Sequence, residues 1–159
     1  MVTWTKWSPG IAAGVFLFLC ACAERPREPA FASVALPPVP ADKARIFFYR
    51  FSQPYESLSL SPIYLNRRKV AVSVPGEVSK LDVPPADYEI YVYSRNDFLN
   101  PFKRAPLRPG DTLYVRVDAM RNWAGDCFAE WPTFVANIVP PEQARAEMAG
   151  LRYEQNDGA

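Results

Sequence analysis

The sequence predicts a mainly β protein. The expected fold is an antiparallel β-sandwich of immunoglobulin-like or transthyretin-like type, carrying a short C-terminal helix and preceded by a signal peptide and a disordered linker. Three observations predict it. From Ala44 onward, short runs rich in β-branched and aromatic residues are broken by Pro, Gly and Asn at intervals of roughly ten residues, the rhythm of an all-β domain. The chain has 159 residues, 49% apolar and 22% charged, enough for one hydrophobic core and too little for two. The first residues read as an address and a proline-rich leader, not as part of that core.

The address comes first. Residues 1–21 hold a lone cation, Lys6, and then the small and apolar run Ile11-Ala12-Ala13-Gly14-Val15-Phe16-Leu17-Phe18-Leu19. That run is well short of the roughly 20 apolar residues a bilayer-spanning helix needs, so it reads as the h-region of a secretory signal. It closes with Leu19-Cys20-Ala21-Cys22, which resembles the bacterial lipobox: a Leu three positions before the cysteine and a small residue just before it. Cys22 is therefore the expected lipid attachment site and mature N-terminus. Cys20 fits badly, since Leu19 would put a large side chain at the cut. The alternatives are an ordinary signal peptide cut after Ala21 or Ala23, or a retained helical anchor. Two or three acyl chains on Cys22 would anchor stably where one is marginal. Ala23 stands where an Asp retains lipoproteins at the inner membrane of enteric bacteria, so the expected location is the outer membrane, facing the periplasm.

Residues 22–41 form the expected tether. Five prolines fall between Ala23 and Pro40 without apolar periodicity, which gives an extended linker reaching up to about 3 Å per residue. Residues 42–153 are the expected sandwich domain and 154–159 a flexible tail. Within the domain, 44–51 is apolar on both parities, Ile46 and Phe48 against Phe47, Tyr49 and Phe51, so it predicts a central strand covered on both faces. Arg50, ending it, either caps a buried carboxylate or reaches solvent. Strands over 63–65 and 70–74 flank the polar turn Asn66-Arg67-Arg68-Lys69 and make a hairpin. A strand over 78–83 stops at Pro84-Pro85, and 88–93 sets Tyr88, Ile90 and Val92 against Glu89, Tyr91 and Tyr93. Arg108-Pro109-Gly110-Asp111 has Pro and Gly in the order of a type II turn. It launches 112–118, where Leu113, Val115 and Val117 oppose Tyr114, Arg116 and Asp118. Strand 128–138 is interrupted at Pro132, which an edge or bulge tolerates. Pro140-Pro141-Glu142 then opens a helix with Pro in its first turn and an acid near its positive end, and Ala144, Met148 and Leu151 form its packing stripe.

The segments Ala44-Arg45-Ile46-Phe47-Phe48-Tyr49-Arg50, Ile63-Tyr64-Leu65-Asn66-Arg67-Arg68-Lys69-Val70-Ala71 and Leu81-Asp82-Val83-Pro84-Pro85-Ala86-Asp87-Tyr88-Glu89-Ile90 resemble, in order and spacing, the DUF2846 family of small bacterial lipoproteins. The resemblance covers about residues 42–120. The chain departs from it where Asn66-Arg67 replaces Asp-Gly in the hairpin and Pro85-Ala86 replaces Pro-Gly in the next turn. The resemblance implies a β-sandwich in the cell envelope and brings no activity and no functional residues with it.

Composition narrows the function. With 18 basic and 17 acidic side chains the net charge is +1, and the one cation in residues 1–21 leaves the remainder balanced, which argues against a nucleic-acid partner. The absence of histidine removes every mechanism that uses an imidazole base, together with the commonest metal ligand. No glycine-rich phosphate loop and no Asp-x-Asp-x-Asp-Gly calcium loop is present, so neither a cofactor nor a metal is expected. The acids Asp82, Asp87, Glu89, Asp97, Asp111, Asp118, Asp126 and Glu130 read as a solvated face and not as an acid–base pair. Cys127, left without a partner once Cys22 is acylated, reads as a small buried hydrophobe. The aromatics are more pointed: Tyr91, Tyr93 and Trp123, with Tyr114 and Trp131, either make an exposed platform for sugars or a partner protein, or face a second sheet or the helix as core. The expectation is a non-catalytic, lipid-anchored envelope protein that binds or scaffolds through its sandwich. Its partners are the membrane and an envelope protein. A glycan-binding module on the aromatic face is the second reading, and a hydrolase of unknown type the third.

Overall fold

A computed structural model describes residues 29–52, 59–94, 102–120 and 133–154. Two sheets face each other across an apolar layer, the sandwich-like, mainly β architecture that the strand rhythm predicts.

Strand β1, Ala44–Tyr49, explains the arrangement, because all six of its residues are buried. A strand with no wet face needs cover on both sides and neighbours on both edges. It lies in the middle of the first sheet, between β4 (Glu77–Val83), antiparallel to it, and β7 (Thr112–Met120), parallel to it. Strand β8 (Thr133–Ile138) extends the sheet beyond β7, and β9 (Arg152–Glu154) lies parallel to the first residues of β4. This sheet is mixed where an antiparallel one was expected. Alternation reports which residues point inward, not which way a neighbour runs, so the parallel pairs β1–β7 and β4–β9 leave no mark on it.

The second sheet is antiparallel throughout, in the order β3 (Arg68–Ser73), β2 (Ser61–Leu65), β5 (Ala86–Val92) and β6 (Lys103–Leu107). The β2–β3 hairpin turns on Asn66 and Arg67 alone, both with positive φ (48° and 68°), the mirror-image turn that matches strand twist. Gly110, at φ 85° after Pro109, occupies the third position of a type II turn, and the Asp111 amide donates to the Arg108 carbonyl to close it.

Ile46 and Phe48 of β1 meet Ile63, Leu65, Ile90 and Val92 of the second sheet, with Val115, Val117, Phe134 and Ala136 completing the layer. Each such side chain contributes roughly 1.5–3 kcal/mol when fully buried. The other face of β1 builds a second cluster. Phe47 stacks on Tyr114, ring centres 5.4 Å apart, and Tyr49, Val78 and Val139 join them. Helix α1, Pro141–Met148, covers this face with Ala144 and Met148, while Leu151, the third residue of the expected stripe, lies past the helix end and still packs there.

Residues 29–40 differ from the expected free tether. A 3₁₀ turn, Phe31–Ser33, sets Phe31 edge-on against Phe47 at 5.5 Å, and Val34 and Leu36 pack beside it on the second cluster. The Phe31 amide donates to the Leu151 carbonyl, and Ala30 bridges Arg152. Arg45 fixes the far end, donating through Nη1 to the Pro37 carbonyl at 2.6 Å. Residues 29–40 therefore pack as part of the domain expected to start at 42. Three apolar side chains decide this over five prolines, because they complete a face that α1 alone leaves open.

Candidate functional site

The expected binding residues divide. Tyr91 and Tyr93 are described; Trp123 and Trp131 lie outside the described residues, as do Cys22, Cys127, Asp97, Asp126 and Glu130. Tyr91 sits directly opposite Tyr64 in the β2–β5 register, on the outer face of the second sheet, with ring centres 6.0 Å apart and tilted by 48°. Tyr93, two residues on, is 47% exposed, and its backbone is tied to the start of β2: its amide donates to the Pro62 carbonyl, and the Ser61 hydroxyl donates to its own carbonyl. Tyr64 belongs to this surface too, and its position between inward Ile63 and Leu65 was the signal for it. Tyr114 does not belong. It is buried between Phe47 and α1, because its face of β7 is the one the helix covers.

Of the acids singled out, Asp82, Glu89 and Asp118 are in ion pairs, while Asp87 and Asp111 are exposed. Asp82 takes two hydrogen bonds from Arg45, Nε to Oδ1 at 2.7 Å and Nη2 to Oδ2 at 2.9 Å, and this pairing holds its carboxyl below the usual range. On the α1 side, Arg116 links Asp118 to Glu147, Asn137 donates to Asp118, and Gln143 and the Tyr49 hydroxyl donate to Glu147. Burial pushes the Glu147 carboxyl up, but the hydrogen bonds from Tyr49, Gln143 and Arg116 outweigh it and leave it below its ordinary value. Burial also drives the Tyr49 phenol well up, and its bond to Glu147 adds to that. This network fastens α1 to the sheet. Glu89 pairs with exposed Arg104. Arg50 does not reach solvent: it is 1% exposed, donates to the Ser59 carbonyl at 2.7 Å and lies 4.7 Å over the Phe134 ring. Among the described residues no group of three or more Cys, Asp or Glu side chains could hold a metal ion, and no helix is long and apolar enough to cross a membrane.

A second surface was not foreseen. Along one side the sandwich is open: β3 is the outer strand of the second sheet, and β9 covers β4 only at Glu77, Ser79 and the residue between them. Between β3 and the uncovered half of β4 lies a cleft of about 1240 Å³. Its floor is Leu65, Ser79, Leu81 and Val83, its other wall Val70 and Ala71, and Tyr88 closes one end with its hydroxyl bonded to the Pro84 carbonyl. Arg68, Lys69 and Glu154 also line it, while Lys80, which borders it, turns its side chain to the other face of β4, toward Asp82. Its lining is mostly apolar with a few polar groups, as in sites that take small ligands. The strands bordering it are poor templates for a further strand, since β3 carries a bulge at Val70 and two cations.

No family model matches the chain, no curated protein matches its sequence, and no solved structure matches its fold.

Proposed function

We propose that this chain is a lipid-anchored, non-catalytic binding module of the bacterial cell envelope, held at the outer membrane through Cys22 and facing the periplasm. The observation that carries the binding half is the aliphatic cleft between β3 and β4. The anchoring half rests on the Leu19-Cys20-Ala21-Cys22 sequence and on the resemblance to small bacterial lipoproteins. Catalysis has no part in this reading, which is supported among the described residues by the commitment of Asp82, Asp118 and Glu147 to arginines.

Two experiments test it. Fractionation and intact mass of the wild type and Cys22→Ala are expected to show an acylated, membrane-bound wild type and a soluble or uncleaved variant; identical behaviour sinks the anchor. A photoreactive residue replacing Leu81 is expected to capture an envelope component that the same residue at Ile138, exposed on β8, does not. Equal labelling from both positions removes the cleft as a binding site.

A second reading is favoured by the ring pair Tyr64–Tyr91 beside exposed Tyr93: a glycan stacks on that face. Oligosaccharide binding lost in Tyr91→Ala and kept in Leu81→Arg would favour it over the cleft.

A further inference from the structure

We infer that the ligand of the cleft is an anionic membrane lipid, one acyl chain lying between β3 and β4 and its phosphate held by Arg68 and Lys69. This rests on the cleft being the binding site proposed above, and it names what enters. Three observations carry it.

The walls are the wrong chemistry for a polar ligand. Val70, Ala71, Leu81 and Val83 present aliphatic surface continuous with the core layer, and the Tyr88 hydroxyl is already bonded to a backbone carbonyl. A flexible hydrocarbon fits such a slot without asking for hydrogen bonds.

The rim has a sign. Arg68 and Lys69 have no acidic partner among the described residues, whereas Lys80 turns away from the cleft toward Asp82, on the face of β4 that carries Val78. Two cations, Arg68 and Lys69, stand against Glu154 in the lining. That surplus is complementary to a phosphate, and unsatisfied guanidinium donors suit phosphate oxygens.

A peptide is disfavoured as the occupant. An extended segment would need the free backbone edge of β3, where the bulge at Val70 breaks the ladder. The position is also right for a lipid. The chain enters the domain at Pro29, whose carbonyl accepts from the Tyr153 amide next to the cleft's Glu154. An anchor at Cys22 therefore lies within about 25 Å of Pro29, at roughly 3.5 Å per extended residue.

The test is a calorimetric titration of the full chain with decanoyl, dodecanoyl and tetradecanoyl lysophosphatidylglycerol below their micelle concentrations, with the lysophosphatidylcholine series in parallel. Affinity is expected to rise about fourfold per methylene. The glycerol series is expected to bind more tightly than the choline series, and the double variant Arg68→Glu, Lys69→Glu to erase that preference by weakening the anionic series about tenfold. Leu81→Arg is expected to abolish binding of both; circular dichroism shows whether it has folded, and the exposed double variant carries the test if it has not. Affinity independent of chain length, equal binding of the two head groups, or a preference that survives charge reversal would each overturn the inference. If the chain ignores every lysolipid while a photoreactive residue at position 81 still captures a protein component, the ligand class is wrong and the binding module stands.

Discussion

The two long sides of the sandwich end differently. On one, β8 lies against β5 and β6, and Ser94 joins the sheets: its hydroxyl accepts from the Phe134 amide at 2.6 Å and donates to the Phe134 carbonyl at 3.0 Å, both groups buried. The Arg50 guanidinium covers the Phe134 ring from the end of β1. On the other side β3 and β4 stand apart, and Leu81, Val70 and Tyr88 remain only partly covered. The sealed side spends a buried serine and a buried arginine on closing the layer. The open side has valine, alanine and cations, which fill less space and resist further closure. A sandwich of this length can therefore leave a stretch of its core accessible without losing the fold, provided the opposite side is locked.

Substitutions should separate the two sides, and Phe134→Ala should do so most strongly. It empties a buried ring site and removes the surface under Arg50, with an expected loss of about 3–5 kcal/mol in urea denaturation; a loss below about 1 kcal/mol would mean that this side is not locked by packing. Ser94→Ala strips both partners from the Phe134 backbone and is expected to cost about 1–3 kcal/mol, with Ser94→Thr recovering part of it. Enlarging the interior should show the contrast directly. Val117→Phe, in the closed part of the layer, is expected to destabilise by about 1–3 kcal/mol, whereas Leu81→Phe in the cleft should stay within about 1 kcal/mol of wild type. Equal costs would show the cleft to be as tightly filled as the core.

Acid should loosen the strand that borders the cleft. The Asp82 carboxyl is held below its ordinary value by Arg45, so its stabilisation is fully present above about pH 4 and is lost as the pH falls through the lower, folded value. Asp82→Asn is expected to cost about 1 kcal/mol at neutral pH and to flatten the decline below pH 4; an unchanged acid profile would deny the pair a role. Smallest of all, Arg68→Gln and Lys69→Gln should change stability by less than about 0.5 kcal/mol, which leaves these cations free to serve a ligand.

Much of this architecture could be read from side-chain order. The double parity of 44–51 announced a strand between two apolar layers, and the polar interruption at Asn66 and Arg67 located a hairpin. Proline and glycine at 109 and 110 named the turn that feeds β7. What escaped reading depends on neighbours remote in sequence. Strand β6 has only Ala105 and Leu107 inward, between two cations and a proline, so its local pattern is mute until β5 pairs with it. The three residues of β9 are a strand only because β4 lies beside them. Tyr114 and Tyr91 look alike in their strands, and what separates them is a helix that arrives from residue 141 to cover one. The cleft was illegible for a related reason: it is made by what β9 fails to cover.

The strap formed by residues 29–36 gives the fold a mechanical polarity. Phe31, Val34 and Leu36 attach the incoming chain to β9 and α1, so a pull from upstream of Pro29 loads the second cluster before it reaches β1. The strap is held by few bonds and can peel away residue by residue, while the two sheets behind it must rupture together. Single-molecule stretching from the N-terminus should register a short, low-force extension ahead of the main unfolding event, and Phe31→Ala should lower that first force without moving the second. Under tension the strap would act as a shock absorber, paying out residues 29–36 while the sandwich and its cleft stay intact.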